Sequence, residues 1–121
     1  MSERVWQFER QGRWAKSKNA SGFGPLGPWL VTADEIPDPL DLTLRLEVND
    51  EEMRSGSTST MIFHPAYLIS YLSRFMVLEP GDVITTGTPP GVGMARHRYL
   101  QRGDRLRLTV TGLGEQSTEV V

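Results

Sequence analysis

Apolar and polar side chains alternate along two separate stretches of the chain, Leu42–Val48 and Arg105–Val110. A period of two is typical of a β-strand that buries one face and exposes the other. Asn49-Asp50 directly follows the first stretch and predicts a tight turn, so residues 51–54 are expected to return as a hairpin partner. The last residues, Ser117–Val121, predict a short strand at the edge of the same sheet.

Helical spacing is clearest between Pro65 and Val77. Proline is well suited to the first position of a helix, where its missing N–H costs nothing. The apolar positions recur every three or four residues and predict a core-facing stripe made of Leu68, Ile69, Leu72, Phe75 and Met76. The sequence therefore predicts a mainly β fold with one amphipathic helix, which covers a face of the sheet.

The segment Val83–Met94 has the pattern of a short strand that breaks into a rigid loop. Its first residues are β-branched, and its later ones include three glycines and two prolines, which permit close backbone approach and restrict the backbone. The hydroxyls of Thr86 and Thr88 flank Gly87, where they and the backbone amides could face a small oxyanion. A plain junction between strand and loop is an equally good interpretation of these residues alone.

Composition narrows the class of protein. A chain of 121 residues with 38% apolar and 23% charged side chains fits one globular domain. The net charge of −2 and the absence of a basic stripe give little electrostatic support to nucleic-acid binding. With no cysteine, the chain has no disulfides or thiolate metal site, which is compatible with a cytoplasmic location. No signal peptide or membrane span of about 20 apolar residues is predicted.

Three longer segments, Gly22–Pro39, Thr58–Phe63 and Leu78–Gly93, resemble signature motifs of the fumarylacetoacetate hydrolase family. The resemblance covers nearly the whole chain, with the motifs in the family's order and spacing. Gly112–Gln116 and the form of the other motifs are most similar to the branch that hydrolyses 2,4-diketo-3-deoxy sugar acids. Other members of the family isomerise or decarboxylate similar 2-keto acids, so the reaction type stays open.

The resemblance implies a mixed β-sandwich roll that binds Mg²⁺ or Mn²⁺, usually as a homodimer. It implies a metal-dependent hydrolase that cleaves a C–C bond in a 2,4-diketo acid, such as an acylpyruvate. A hard divalent cation would chelate the substrate carboxylate and 2-keto oxygen and stabilise the enolate left by cleavage. The alternatives are an isomerase or decarboxylase of a 2-keto acid, or a truncated remnant that serves as a non-catalytic assembly module.

Matching the family motifs residue by residue implies roles for five residues. Lys18 would be catalytic, stabilising developing negative charge; Lys16 competes for this role if the alignment is gapped. The expected substrate-binding residues are Arg4, Gln7, Gly87 and Thr88. From the residues alone each has a plain alternative, such as an arginine on the surface or a solvated lysine in a loop.

The chain departs from the family pattern at the metal site. The family's paired glutamates lie upstream of the matched region, and its aspartate ligand would fall immediately before Met1. The carboxylates of Asp34-Glu35 and Glu51-Glu52 lack the spacing to replace them, so no metal ligand is expected in the chain. Residues 1–121 are therefore predicted to be the C-terminal part of a single catalytic domain whose N-terminal half is missing. A start at Met1 suggests a truncated reading frame or a fragment, expected to be inactive alone.

Overall fold

The computed structural model describes residues 1–9 and 12–121, which divide into two compact units, Met1–Leu30 and Val31–Val121. The first unit contains two short helices, α1 (Arg4–Phe8) and α2 (Trp14–Lys18). The Glu3 carboxylate caps α1 by accepting a hydrogen bond from the Val5 N–H at 2.9 Å. The alternative of a solvated Lys18 in a loop was wrong about the backbone, because Lys18 is the last residue of α2.

The second unit is built on a four-stranded antiparallel sheet with strand order β2-β1-β3-β4. Its helical elements are α3 (Pro65–Leu72) and short 3₁₀ turns at Ala33–Glu35, Thr58–Thr60 and Gly93–Arg96. The strands are β1 (Thr43–Val48), β2 (Glu51–Ser57), β3 (Arg105–Val110) and β4 (Gly114–Glu119). The mainly β fold is confirmed, including the hairpin after β1 and the edge strand near the C-terminus.

The β1–β2 hairpin has a tight turn and an irregular register. Asn49 and Asp50 have φ values of +51° and +64°, as the favoured two-residue hairpin turn requires at both central positions. Leu46 pairs with Arg54, but the next residue of β1, Glu47, pairs with Glu52, so β2 carries a bulge at this point. Because paired residues share a face, Arg54 lies on the leucine side of the sheet.

The opposite face of the sheet carries a network of charges around Glu47, which is only 7% exposed. Its carboxylate accepts a hydrogen bond from Arg107 Nε at 2.7 Å and lies 3.1 Å from Arg45 Nε. The hydrogen bond to Glu47, followed by that group's negative charge, raises the pKa of Arg107. Glu47 and Arg107 are register partners, so this contact specifies the pairing of the two central strands.

Helix α3 ends earlier than its apolar pattern predicted, at Leu72 instead of Val77. Two shorter-range bonds follow its last turn, from the Arg74 N–H to the Tyr71 carbonyl and from the Phe75 N–H to the Leu72 carbonyl. Such bonds tighten the chain into 3₁₀ geometry and end the regular helix.

The prediction that the apolar stripe packs in a core was wrong for most of its members. Leu68 and Leu72 are half-buried, whereas the Phe75 side chain is 66% exposed and Ile69 and Met76 are also exposed. Aromatic rings form a continuous ladder along α3 and just beyond both of its ends. The centroid separations between successive rings are 4.9, 6.3 and 5.0 Å for Phe63, Tyr67, Tyr71 and Phe75. Spacing alone shows that these residues share a helical face, but it does not supply the surface that covers that face.

The prediction of a short strand at the start of Val83–Met94 was also wrong. Residues 83–86 have no strand pairing among the residues that the structure describes. β-Branched residues favour an extended backbone, but a strand also requires a neighbour that accepts and donates its backbone hydrogen bonds.

The chain exposes an unusually large surface. Its accessible area is 9445 Å², whereas a globular monomer of 13.6 kDa is expected to expose about 6,600 Å². Among the described residues, the buried apolar side chains are Val48 and Met53. None of the helices in this part of the chain has the length and apolarity that crossing a membrane requires.

This excess surface leads to a testable expectation about self-association. The chain of 121 residues, produced by itself, is expected to form oligomers or aggregates and to bind a hydrophobic dye, because the aromatic ladder on α3 is exposed. Light scattering coupled to gel filtration measures the mass. Phe75→Glu should shift the population toward the monomer, whereas Arg102→Glu serves as a surface control. A monodisperse monomer with a cooperative thermal transition would contradict the expectation.

Candidate functional site

Arg54 of strand β2 forms two hydrogen bonds to the loop Gly87–Gly91. A terminal nitrogen of Arg54, Nη1, donates a hydrogen bond to Thr88 Oγ1, and Arg54 Nε donates to the Gly91 carbonyl at 3.2 Å. Arg54 is placed on this side of the sheet by its pairing with Leu46. One guanidinium therefore holds both ends of the proline-containing segment of the loop.

Close packing reinforces these hydrogen bonds. A Cβ atom added to Gly56 would lie 2.6 Å from Pro89 Cβ, and one added to Gly91 would lie 2.5 Å from the Met53 carbonyl oxygen. Both distances are too short for real contacts, so the loop reaches β2 only because these positions are glycines. Gly91 also has a φ of +104°, which disfavours any other residue. The loop is consequently a docked, tightly specified element.

The contact with Arg54 determines how the Thr88 hydroxyl can hydrogen-bond to a ligand. Arginine donates hydrogen bonds and cannot accept them, so Thr88 Oγ1 is the acceptor in this pair. The hydroxyl hydrogen is then available to donate to a second group, and the Thr88 side chain is exposed. A hydroxyl donor beside a guanidinium suits an anionic oxygen such as that of a carboxylate.

Gly87 precedes this hydroxyl with a φ of +106°, in the region that glycine adopts readily. A Cβ added there would meet none of the described residues within 4 Å. Glycine is therefore favoured at position 87 by the backbone conformation and not by the close approach of another residue. The predicted residues Gly87 and Thr88, which are neighbours in the sequence, are both exposed on this loop.

Three further predicted residues lie in the first unit. Arg4 and Gln7 are one turn apart on α1, and Arg4 Nη1 donates a hydrogen bond to Gln7 Oε1 at 2.5 Å. Gln7 is 1% exposed, and its Nε2 finds no hydrogen-bond acceptor among the described residues. A buried amide without an acceptor is destabilising, and one acceptor from a ligand or water would relieve that cost.

Lys18 is held at the end of α2 by two contacts. Its Nζ donates a hydrogen bond to Ser2 Oγ at 2.8 Å and lies 5.4 Å from the centre of the Trp14 ring. Both contacts are compatible with a charged ammonium group that keeps donors available. Lys16 lies in the same last turn of the helix and is also exposed.

A divalent cation requires a cage of oxygen ligands, and the described residues do not provide one. No group of three or more His, Cys, Asp or Glu side chains comes together in this part of the chain. The candidate carboxylates are otherwise engaged. The Thr32 hydroxyl lowers the pKa of Asp34 by hydrogen bonding, while Glu51 and Glu52 pair with Arg98 and Arg45. These residues therefore do not fit the metal site that the family resemblance implies.

Arg54 itself was missed in the analysis of the sequence. One feature of the sequence could have indicated its role. Arg54 is a charged residue of β2 on the face that carries the leucines of β1. A charge at such a position needs a polar partner, and the hydroxyl and carbonyl of the loop provide two. The sequence distance of 34 residues to Thr88 hid this contact.

Comparison with known proteins extends these observations. The family model described as fumarylacetoacetate (FAA) hydrolase C-terminal matches residues 1–121. A Burkholderia multivorans (strain ATCC 17616 / 249) protein, provisionally named a hydrolase, is 57% identical over 119 residues. That match covers 96% of this chain but 42% of the relative, so the chain spans less than half of the relative's length.

Solved structures show the same relation. A Mycobacterium smegmatis protein, provisionally named HpcE, is 49% identical, with a TM-score of 0.89 over 99% of this chain and 45% of its own. Maleylpyruvate hydrolase from Sphingobium sp. SYK-6 is 38% identical, with a TM-score of 0.83 over 92% of this chain and 40% of its own. Another structure of that hydrolase, in complex with manganese(II) and pyruvate, has a TM-score of 0.76, is 39% identical, and aligns with 82% of this chain and 36% of its own.

An isomerase gives a similar match. The 5-carboxymethyl-2-hydroxymuconate delta-isomerase from Mycobacterium smegmatis is 40% identical, with a TM-score of 0.86 over 99% of this chain and 44% of its own. The family match over all 121 residues and the agreement of these structures confirm the resemblance of the sequence motifs. The chain belongs to the fumarylacetoacetate hydrolase family, whose C-terminal model matches residues 1–121.

Proposed function

We propose that the protein is a hydrolase that cleaves a C–C bond in a 2,4-diketo acid of the acylpyruvate type. The observation that carries the proposal is the exposed Thr88 hydroxyl, which accepts a hydrogen bond from Arg54 and can donate its own hydrogen to an anion. A substrate carboxylate is the matching acceptor, and the carboxylate of a 2-keto acid is small enough to approach Gly87 closely. The similarity to a hydrolase whose structure contains pyruvate supports this choice of substrate.

Hydrolysis adds water across the bond between carbons 3 and 4 of the substrate. The acyl carbon takes the hydroxyl and leaves as a carboxylic acid, while carbon 3 takes a proton, so pyruvate is the second product. Negative charge develops on the pyruvate fragment as the bond breaks. In the proposal, Thr88 and the Gly87 backbone hold the carboxylate, and Lys18 stabilises the developing charge.

Arg4 and Gln7 complete the proposed set. The Gln7 amide is oriented by its contact with Arg4, and its Nε2, which has no acceptor among the described residues, would donate to substrate or to water. The proposal for the whole protein includes a divalent cation, Mg²⁺ or Mn²⁺, because a similar hydrolase holds manganese(II). Its ligands would have to come from outside the described residues, which form no such cluster.

The proposal treats residues 1–121 as the C-terminal part of one catalytic domain and includes a homodimer. The exposed aromatic ladder on α3 supports an extensive contact with further protein. A cytoplasmic location and the branch acting on 2,4-diketo-3-deoxy sugar acids stay predictions, as does the inactivity of the chain alone.

Isomerisation of a 2-keto acid is the second candidate, favoured by the likeness to the delta-isomerase. The same carboxylate-binding loop would serve both reactions, so the products separate them. Hydrolysis of an acylpyruvate releases pyruvate, which a coupled lactate dehydrogenase assay detects. An isomerase would change the ultraviolet spectrum of an unsaturated keto acid and release no pyruvate. A decarboxylase would release carbon dioxide, and a non-catalytic module would do none of these.

Lys18→Ala provides the first test in the protein expressed from its complete coding sequence. Loss of one donor to a developing oxyanion is expected to lower kcat by on the order of 10²–10³. Lys16→Ala is the matched control and should be nearly neutral, since it removes the same charge from the same helical turn. Steady-state release of pyruvate from an acylpyruvate is the measurement. Loss of activity in the Lys16 variant alone would move the role two residues upstream, and loss in neither variant would remove the catalytic role from α2.

Thr88→Ala tests the carboxylate contact. It removes a hydrogen bond made in both the ground state and the transition state, so KM should rise by about tenfold while kcat changes less. Thr111→Ala is the control, because Thr111 is an exposed threonine at the end of β3. A fall in kcat at unchanged KM would contradict the proposed role of Thr88.

A further inference from the structure

We propose that Arg54 is a positioning residue that fixes the carboxylate-binding loop and sets the Thr88 hydroxyl as a donor. The inference rests on the proposed function, because it concerns the same loop. In this proposal, a residue of strand β2 determines the conformation of a loop 34 residues away. It also determines that the Thr88 hydroxyl accepts from the strand and donates to the ligand. Arg54 touches the loop, and in this account it acts on substrate through Thr88.

The first step of the argument is the geometry of the guanidinium. Two of its nitrogens contact opposite ends of the segment that contains both prolines, Thr88 at one end and Gly91 at the other. Pro89 and Pro90 have no N–H, so this part of the loop has lost two backbone donors that could have tied it to the sheet. The arginine side chain supplies donors from the strand in their place.

The second step concerns the polarity of the hydroxyl. A threonine hydroxyl is able to donate or to accept, and its rotor turns to suit its neighbours. Because Arg54 only donates, Thr88 Oγ1 accepts, and the hydrogen turns away from the guanidinium. The hydroxyl therefore presents a hydrogen to any approaching anion, and the nearby positive charge favours an anion over a neutral group.

The third step separates arginine from lysine. A lysine ammonium is a compact point charge, whereas the planar guanidinium presents donors that are spread over several ångströms. Only the spread arrangement reaches Thr88 and the Gly91 carbonyl together. Charge alone is therefore insufficient, and Arg54→Lys should restore part of the anion attraction without restoring the loop.

Packing offers a competing explanation for the docked loop. Gly56 against Pro89 and Gly91 against Met53 bring the backbones close without any help from a charge. If packing alone holds the loop, removal of the guanidinium leaves the loop unchanged. The two explanations consequently differ in the mobility of the loop in a variant that keeps the arginine's apolar stem.

The experiment compares Arg54→Met and Arg54→Lys with the wild-type protein expressed from its complete coding sequence. Arg105→Met is the matched control, since Arg105 is 80% exposed on β3 and contacts Glu119 at 3.6 Å. Hydrogen exchange measures the exchange rates of the backbone amides of Gly87, Thr88, Gly91 and the residues that follow. Exchange at least tenfold faster in Arg54→Met, with wild-type rates in the control, is expected. Equal exchange rates in Arg54→Met and in the Arg105→Met control would overturn the inference, whether or not the protein turns over any substrate.

The second readout is kinetic and reports on the hydroxyl. Arg54→Met should raise KM for an acylpyruvate by about tenfold with kcat within about twofold, and Arg54→Lys should recover part of that loss. If Arg54 acts through Thr88, the double variant Arg54→Met/Thr88→Val should have nearly the KM of Thr88→Val alone. Multiplicative effects would overturn the coupling between the two residues.

If the wild-type protein does not turn over an acylpyruvate, the proposed function fails separately, and pyruvate itself becomes the probe. Calorimetry is expected to show that Arg54→Met weakens pyruvate binding by about tenfold relative to the wild type and the Arg105 control. Equal pyruvate affinity, or no pyruvate binding by any variant, would overturn the role of Arg54 in anion binding. Should Arg54→Met fail to fold, the same comparisons with Arg54→Lys decide the matter, since that variant keeps the charge.

Discussion

The close docking of the Gly87–Gly91 loop on strand β2 is the constraint on which the candidate site depends. The loop comes near enough to the strand that added side chains at Gly56 and Gly91 would collide with Pro89 and Met53. The Arg54 guanidinium then ties the loop ends to the strand. Packing limits the space between loop and strand, and the arginine makes the Thr88 hydroxyl an acceptor, so its hydrogen points away from the guanidinium.

The sheet beneath the loop makes this arrangement possible. The bulge in β2 changes the register between Arg54 and the residues nearer the turn, so Arg54 pairs with Leu46 and faces the loop. On the other face, the buried carboxylate of Glu47 and its arginine partners hold β1 and β3 in register. One side of the sheet is therefore fixed by charge pairs, while the other side carries the leucines and the docked loop.

Alternation of side chains predicted β1 and β3, and the Asn49-Asp50 turn predicted the hairpin. These predictions succeeded because each of these strands has its partners within the chain. The same reasoning failed for residues 83–86, where β-branched residues are present but the structure describes no partner strand. It failed again for the stripe on α3, since helical spacing identifies a face and says nothing of what covers it. The helices α1 and α2 were missed because each has five residues, too few to show a period.

The candidate site was only partly predictable for a related reason. Family motifs led to Gly87 and Thr88, which are exposed on the docked loop, and to Arg4 and Gln7, which are hydrogen-bonded on one helix; their roles in binding stay predictions. The role of Arg54 depends on a contact across 34 residues, and no local pattern encodes such a contact. The leucine beside it in the register was the available clue, since a charge facing apolar residues requires a partner.

A crystal structure of the protein, expressed from its complete coding sequence and soaked with pyruvate, tests the central claim most directly. The account predicts that a carboxylate oxygen lies about 2.7 Å from Thr88 Oγ1, with Arg54 still bonded to the same hydroxyl oxygen and to the Gly91 carbonyl. Pyruvate bound with its carboxylate away from the Gly87–Gly91 loop, or an Arg54 that leaves the loop to take the carboxylate itself, would contradict the account.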